Sequence, residues 1–173
     1  MTSIKQNFHP ETETCVNKLI KMELTSSYVY LAMASHYDRD DVALRGFHKF
    51  FKDLSELKKQ NAEKLMAKQN ERGGRVSLED LQAHARSHWG GGGDGLAMAL
   101  EAEKKSNEQF MAFHSLAGQH EDKHTMDWVE GEFLAPHVDT IKKFGDMKMQ
   151  LARAGVGTGE FLFDLDLSKK GFE

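Results

Sequence analysis

Cysteine is nearly absent from this chain of 173 residues: Cys15 stands alone, so no internal disulfide can form and packing must hold the fold. A lone thiol suits a reducing compartment. Proline is almost as scarce, with Pro10 and Pro136 the only two, so helices can run long without interruption. No stretch approaches the ~20 apolar residues of a membrane span, and Met1 to His9 holds no apolar run of signal length. Basic blocks are missing as well. The 23 Lys and Arg against 27 Asp and Glu leave a net charge of −4 spread along the chain, without the basic footprint of a nucleic-acid binder. A cytoplasmic protein with neither a membrane nor a nucleic-acid partner is the expectation.

What is present is an apolar share of 39%, enough for one substantial core, so a single domain over residues 1–173 is expected. Punctuation predicts the elements. A first helix should start just after Pro10, a residue suited to the first helical turn, and run to about Tyr37, before the charged turn Asp38-Arg39-Asp40-Asp41. A second should extend from about Val42 to Arg72 and stop at Gly73-Gly74. Residues 75–91, with Val76 and Leu78, show little periodicity and close in Gly90-Gly91-Gly92-Gly93, a run that can simply lengthen a surface connection. A third helix is predicted over about Asp94 to His120. A fourth follows over about Asp122 to Ala154, kinked near Pro136 by a lost backbone hydrogen bond.

Helices of about 25 to 30 residues are about 40 Å long, and the 75–91 connection can travel that length. The pattern is an all-α four-helix bundle, about residues 11–154, with one long crossover. After the Gly155 to Gly159 hinge, a short fifth segment covers about 160–169. Phe161, Phe163, Leu165 and Leu167 alternate there, so periodicity alone leaves helix and strand open.

Polar residues inside the predicted apolar stripes carry the chemistry. Val16, Ile20, Glu23, Ser27, Tyr30 and Ala34 share one face of the first helix. Leu96, Leu100, Glu103, Asn107 and Phe110 share a face of the third, and Phe133, His137, Ile141 and Phe144 one of the fourth. On the second helix the stripe Leu54, Lys58, Asn61, Leu65 turns a lysine and an amide toward the core. A buried carboxylate demands a partner cation, metal or hydrogen-bond donor, and spacing does not name which. A shift of one residue in the stripe would place Glu23 and Glu103 in water, and a polar residue at a kink is the plainer account of His137.

Several longer blocks add to this reading. Asn17-Lys18-Leu19-Ile20-Lys21-Met22-Glu23-Leu24 with Ser26-Ser27-Tyr28-Val29-Tyr30-Leu31, then Asp38 to Leu44, Ala62 to Met66, Gln69 to Arg75, and Glu160-Phe161-Leu162-Phe163-Asp164 together resemble ferritin. The resemblance runs from about Gln6 to Leu167. It implies a ferritin-like bundle with a short fifth helix, belonging to a hollow shell of 24 subunits. The shell takes in Fe2+ and stores Fe3+ mineral, with no organic cofactor.

Carried over by residue, the resemblance places Glu23, Tyr30 and Glu103 at the family's di-iron ferroxidase site. The bridging glutamate is replaced by Lys58, a histidine ligand by Asn61, and a nearby glutamine by His137. An ammonium facing a divalent ion at ~4 Å costs on the order of 8 kcal/mol even at an effective dielectric near 20. The chain therefore resembles a light-type subunit, ferroxidase-deficient, in which Lys58 pairs with Glu103 or Glu23 in place of metal. Such a subunit would join a homo-oligomer or a mixed 24-mer with ferroxidase-competent partners. A remodelled iron site using Glu23, Glu103 and His137 is the alternative, so enzyme activity is an open expectation that leans against catalysis.

The same resemblance assigns His114, Asp127 and Glu130 to an iron-entry channel, where symmetry would turn each carboxylate into a ring of three. Met126 stands where many relatives carry cysteine. Asp53, Glu56 and Glu63 are the weak counterparts of a mineral-nucleation patch. Phe161, Leu162 and Leu165 would plug an apolar pore, with Asp166 a polar departure from that pattern.

Overall fold

Helix α1 (Pro10–Tyr37) starts where the sequence says it should, with His9 as its cap: the ring Nδ1 accepts the Glu11 backbone N–H at 3.2 Å. Glu11 and Glu13 in the first turn complement the positive end of the helix. The computed structural model describes residues 4–82 and 88–172, so part of the expected 75–91 connection, residues 83–87, lies outside the described residues. Helix α2 (Arg45–Glu71) begins later than the predicted Val42. Ala43 adopts a left-handed φ of 53°, and its N–H bonds back to the Arg39 carbonyl at 2.7 Å, so the chain is still turning there.

The end of α2 lies against the start of α1, where Gln69 Nε2 donates to the Glu13 carbonyl at 2.9 Å. The connection then follows α1: Asn17 donates to the Arg75 carbonyl and accepts from the Ser77 N–H, each at 3.0 Å. It ends at the far end of α1, where Tyr37 Oη donates to the Gly91 carbonyl at 3.0 Å. Helix α3 (Gly92–Gln119) therefore starts beside the start of α2 and runs parallel to it. This is the crossover topology expected of the bundle.

The glycine run does more than lengthen a loop. A Cβ at Gly92 would fall 2.3 Å from Phe47 Cζ, and one at Gly95 would fall 2.1 Å from Tyr37 Oη. Side chains there would push α3 away from an aromatic layer of Tyr37, Phe47 and Phe51, whose ring centroids lie 5.4 to 6.4 Å apart. Helix α3 also starts earlier than the predicted Asp94, because Asp94 Oδ2 accepts the Gly91 N–H at 3.1 Å and closes the first turn.

The fourth rod of the bundle has three parts: α4 (Lys123–Val129), a π-helical turn (Glu130–Leu134) and α5 (Ala135–Ala154). Pro136 lacks an N–H and its ring crowds the carbonyl four residues back, at Glu132. Widening the preceding turn absorbs this, and the Ala135 N–H reaches back five residues to the Glu130 carbonyl. The expected kink is thus a π turn just before the proline.

Helix α6 (Thr158–Lys170) resolves the ambiguous segment as helix, in keeping with the resemblance. Leu167 is buried and Phe163 packs on the same cluster, while Phe161, Leu162 and Leu165 remain exposed. Asp164 reaches the start of α2, where Leu44 provides no side-chain cap, and accepts the Phe47 N–H at 2.9 Å. Gly46 permits this approach, since a Cβ there would fall 2.0 Å from the Asp164 carbonyl oxygen. Apolar clusters fill both ends of the bundle, one around Phe47, Phe50, Phe51 and Phe144, the other around Ile20, Leu65, Phe110 and Phe133. Among the described residues, no helix is long and apolar enough to cross a membrane.

Candidate functional site

Between those apolar clusters, each rod of the bundle turns at least one polar side chain inward. Glu23 is fully buried on α1, Lys58 and Asn61 are buried on α2, Glu103 on α3, and His137 on α5. The predicted stripes therefore face the core, and Glu23 and Glu103 are not solvated. Lys58 Nζ stands between the carboxylates, 2.7 Å from Glu103 Oε2 and 3.8 Å from Glu23 Oε2. Tyr30 Oη donates to Glu103 Oε1 at 2.7 Å, and Asn61 Nδ2 donates to Glu23 Oε2 at 3.0 Å. Two buried carboxylates thus meet one cation and two neutral donors.

Ser106 is the member that the stripe reading missed, although it lies three residues beyond Glu103 on the same face of α3. Its Oγ lies 3.1 Å from Glu23 Oε1 and 3.1 Å from His137 Nε2. The opposite ring atom, His137 Nδ1, donates to the Phe133 carbonyl at 2.7 Å, because a carbonyl can only accept. In a neutral ring Nε2 is then an acceptor, and the single Ser106 hydroxyl proton serves either His137 or Glu23. The π turn matters here, since it sets the register that brings His137 inward while keeping this backbone bond.

Burial and the neighbouring charges act together on the titratable groups. Burial pushes the His137 imidazole below its ordinary value, and the Lys58 ammonium adds to that shift. Lys58 goes the other way: burial alone would lower it, but the Glu23 and Glu103 carboxylates outweigh burial and hold it above the usual lysine value. Burial first, and then Glu103, push the Tyr30 phenol well above its usual value, so it remains a donor.

A recess of about 190 Å³ between α2 and the fourth rod reaches Lys58, Asn61, Glu103 and His137. At its rim Lys64 pairs with Glu132 at 2.9 Å.

The other predicted residues lie away from this cluster. His114 Nε2 sits 2.6 Å from Glu130 Oε1, while Asp127 is exposed one turn earlier, so His114 and Glu130 are the directly paired members of the predicted channel set. Asp53, Glu56 and Glu63 are all exposed on α2. Lys59 stands 3.8 Å from Glu56 and 4.0 Å from Glu63, and Asp53 accepts the Phe172 N–H at 3.3 Å. Each of these carboxylates already has a local partner.

A family model described as the ferritin-like domain matches residues 14–154. The chain belongs to the ferritin family. It is 45% identical over 164 residues to the soma ferritin of Lymnaea stagnalis, covering 95% of this chain and 94% of that one. The identity to the ferritin-1 heavy chain of Schistosoma mansoni is also 45%, over 95% of each chain. To the ferritin light chain, oocyte isoform, of Xenopus laevis it is 44%, over 94% of each. Heavy-named and light-named ferritins match equally well, so overall similarity does not sort this ferritin into either type. Membership supports iron storage as the broad function and an oligomeric shell as the form in which family members work.

Proposed function

We propose that this ferritin chain is an iron-storage subunit without rapid ferroxidase chemistry, working in the cytoplasm within a shell of 24 subunits. It assembles alone or with ferroxidase-competent partners. The carrying observation is the Lys58 ammonium lodged between Glu23 and Glu103, 2.7 Å from one and 3.8 Å from the other. The place that a metal would share between those carboxylates holds a cation supplied by the chain itself. Asn61 supports the same reading by donating an N–H to Glu23, where a metal site would need a lone pair. Iron is cargo here: Fe2+ enters past His114, Asp127 and Glu130 and is deposited as Fe3+ mineral, with Asp53, Glu56 and Glu63 a weak nucleation patch because Lys59 and the C-terminal backbone engage them.

The alternative is a residual iron site built from Glu23, Glu103 and His137. Its support is the 3.5 Å separation between His137 Nε2 and Glu103 Oε2 at the inner end of the recess. Stopped-flow absorbance after mixing the homopolymer with Fe2+ and oxygen separates the two. Slow mineral growth without an early diferric signal is expected. A rapid oxygen-dependent diferric phase would overturn the storage-only reading in favour of the remodelled site.

A further inference from the structure

Among the described residues, the group of His, Cys, Asp and Glu side chains whose ligand atoms converge within 4.8 Å is not the buried cluster. It is His9, Glu11 and His120, at the outer end of the bundle where α1 begins and α3 stops. We propose that these three residues form a binding site for a borderline divalent transition-metal cation that ties the start of α1 to the end of α3.

The three side chains come from two elements, with Glu11 and His120 lying 109 residues apart in sequence. The His9 and His120 rings stack with centroids 3.6 Å apart and planes 14° from parallel. One Glu11 oxygen, Oε2, lies 2.8 Å from His120 Nε2 and 3.9 Å from His9 Nδ1. Zinc bonds to nitrogen and oxygen are about 2.0 to 2.2 Å, which sets ligand atoms about 3.3 Å apart around a tetrahedral ion. The two separations straddle that value, but stacked rings hold their in-plane lone pairs parallel, so one imidazole must turn out of the stack for both nitrogens to reach one ion.

His9 Nδ1 accepts the Glu11 N–H, so it bears no proton, and an ion taking that one lone pair would displace this N–H bond. At the other ring, an ion would replace the proton that His120 Nε2 shares with Glu11 and release it to solvent. Two imidazole nitrogens with one carboxylate oxygen form a donor set suited to zinc, copper or nickel rather than calcium or magnesium. Glu11 and His9 are exposed, which leaves the remaining coordination positions to water. Nothing in this site depends on the reading of the Lys58 cluster, and none of its residues belongs to the predicted entry channel. The neighbouring contacts give the ion something to hold: Asn7 Nδ2 already reaches the Glu121 carbonyl at 3.3 Å, alongside the same junction.

Zinc titration calorimetry on the assembled protein tests the proposal, with the channel residues changed by His114→Ala, Asp127→Asn and Glu130→Gln to remove their contribution. In that background one zinc equivalent per chain is expected to remain. His120→Ala, which leaves the His9 cap in place, should weaken it by roughly 10- to 100-fold or abolish it. Glu11→Gln should act in the same direction, with the metal-free circular dichroism melt unchanged in both variants. Zinc isotherms indistinguishable between His120→Ala and its parent would overturn the site, as would loss of all zinc binding on changing the channel residues alone.

Discussion

Replacing Lys58 by Met keeps the side-chain volume but leaves Glu23 and Glu103 facing one another without a cation. Both carboxylates lie within 4 Å of the lysine nitrogen, at 3.8 and 2.7 Å, and are buried. Taken as about 6 Å apart at an effective dielectric near 20, two unit charges repel by about 3 kcal/mol. Removing one partner of a buried ion pair typically costs ~3–5 kcal/mol, and the donors that remain, Tyr30, Asn61 and Ser106, hold the expected loss inside that range. The loss depends on pH in a defined sense. In the native protein Lys58 is raised above the ordinary lysine value, so on the basic side its contribution is lost only as pH rises through that raised value. In Lys58→Met, the folded state instead gains by taking up a proton on one carboxylate. The deficit should therefore be larger at pH 8 than under acidic conditions. Guanidinium unfolding followed by the fluorescence of Trp89 and Trp128 measures both quantities. Adding Glu103→Gln should recover most of the loss at pH 8. A single variant as stable as the parent at pH 8, or a deficit that ignores pH, would refute the account of two ionised carboxylates held by one lysine.

Converting the site tests function from the other side: Lys58→Glu with Asn61→His should introduce a fast oxygen-dependent phase in stopped-flow Fe2+ oxidation, and no gain would mean that the block lies elsewhere. His137 is held low by burial and then by the Lys58 charge, so Lys58→Met should raise its titration midpoint, as read from the ring carbon resonances by NMR. An unmoved midpoint would remove Lys58 from the list of its causes. At the other end of the bundle, Asp164→Ala removes the only side-chain acceptor described at the start of α2 and should cost about 1 kcal/mol in the same unfolding assay; full stability would show that water replaces it.

Much of the bundle was legible because helices obey local rules. Pro10 and Gly73-Gly74 mark the start of one helix and the end of the next, and the three-and-four spacing of Val16, Ile20, Glu23 and Tyr30 names the face that is buried. The same spacing exposed Lys58 and Asn61 as polar residues on an inward stripe. Local rules failed where the deciding contact comes from far along the chain. Helix α2 begins at Arg45 and not Val42 because of the turn at Ala43, and its cap is supplied by Asp164, more than a hundred residues later. Alternation in residues 161–167 could not exclude a strand. As a helix the segment buries Leu167, packs Phe163 and sends Asp164 to α2, leaving three apolar side chains exposed.

The buried polar positions divide in the same way. Sequence by itself supplied the apolar stripes on which Glu23, Lys58, Asn61, Glu103 and His137 fall, and a lysine and an asparagine where the family resemblance implies metal ligands; that these side chains face the interior, with Ser106 among them, came from the structure. Only the tertiary structure decided which partners meet: Lys58 with both glutamates, Tyr30 with Glu103, Ser106 shared by Glu23 and His137, and the His9, Glu11 and His120 group at the outer end. Periodicity fixes the angle of a side chain about its own helix axis, whereas hydrogen bonds and charge pairs depend on distances between helices, and those are set by how the four rods pack together.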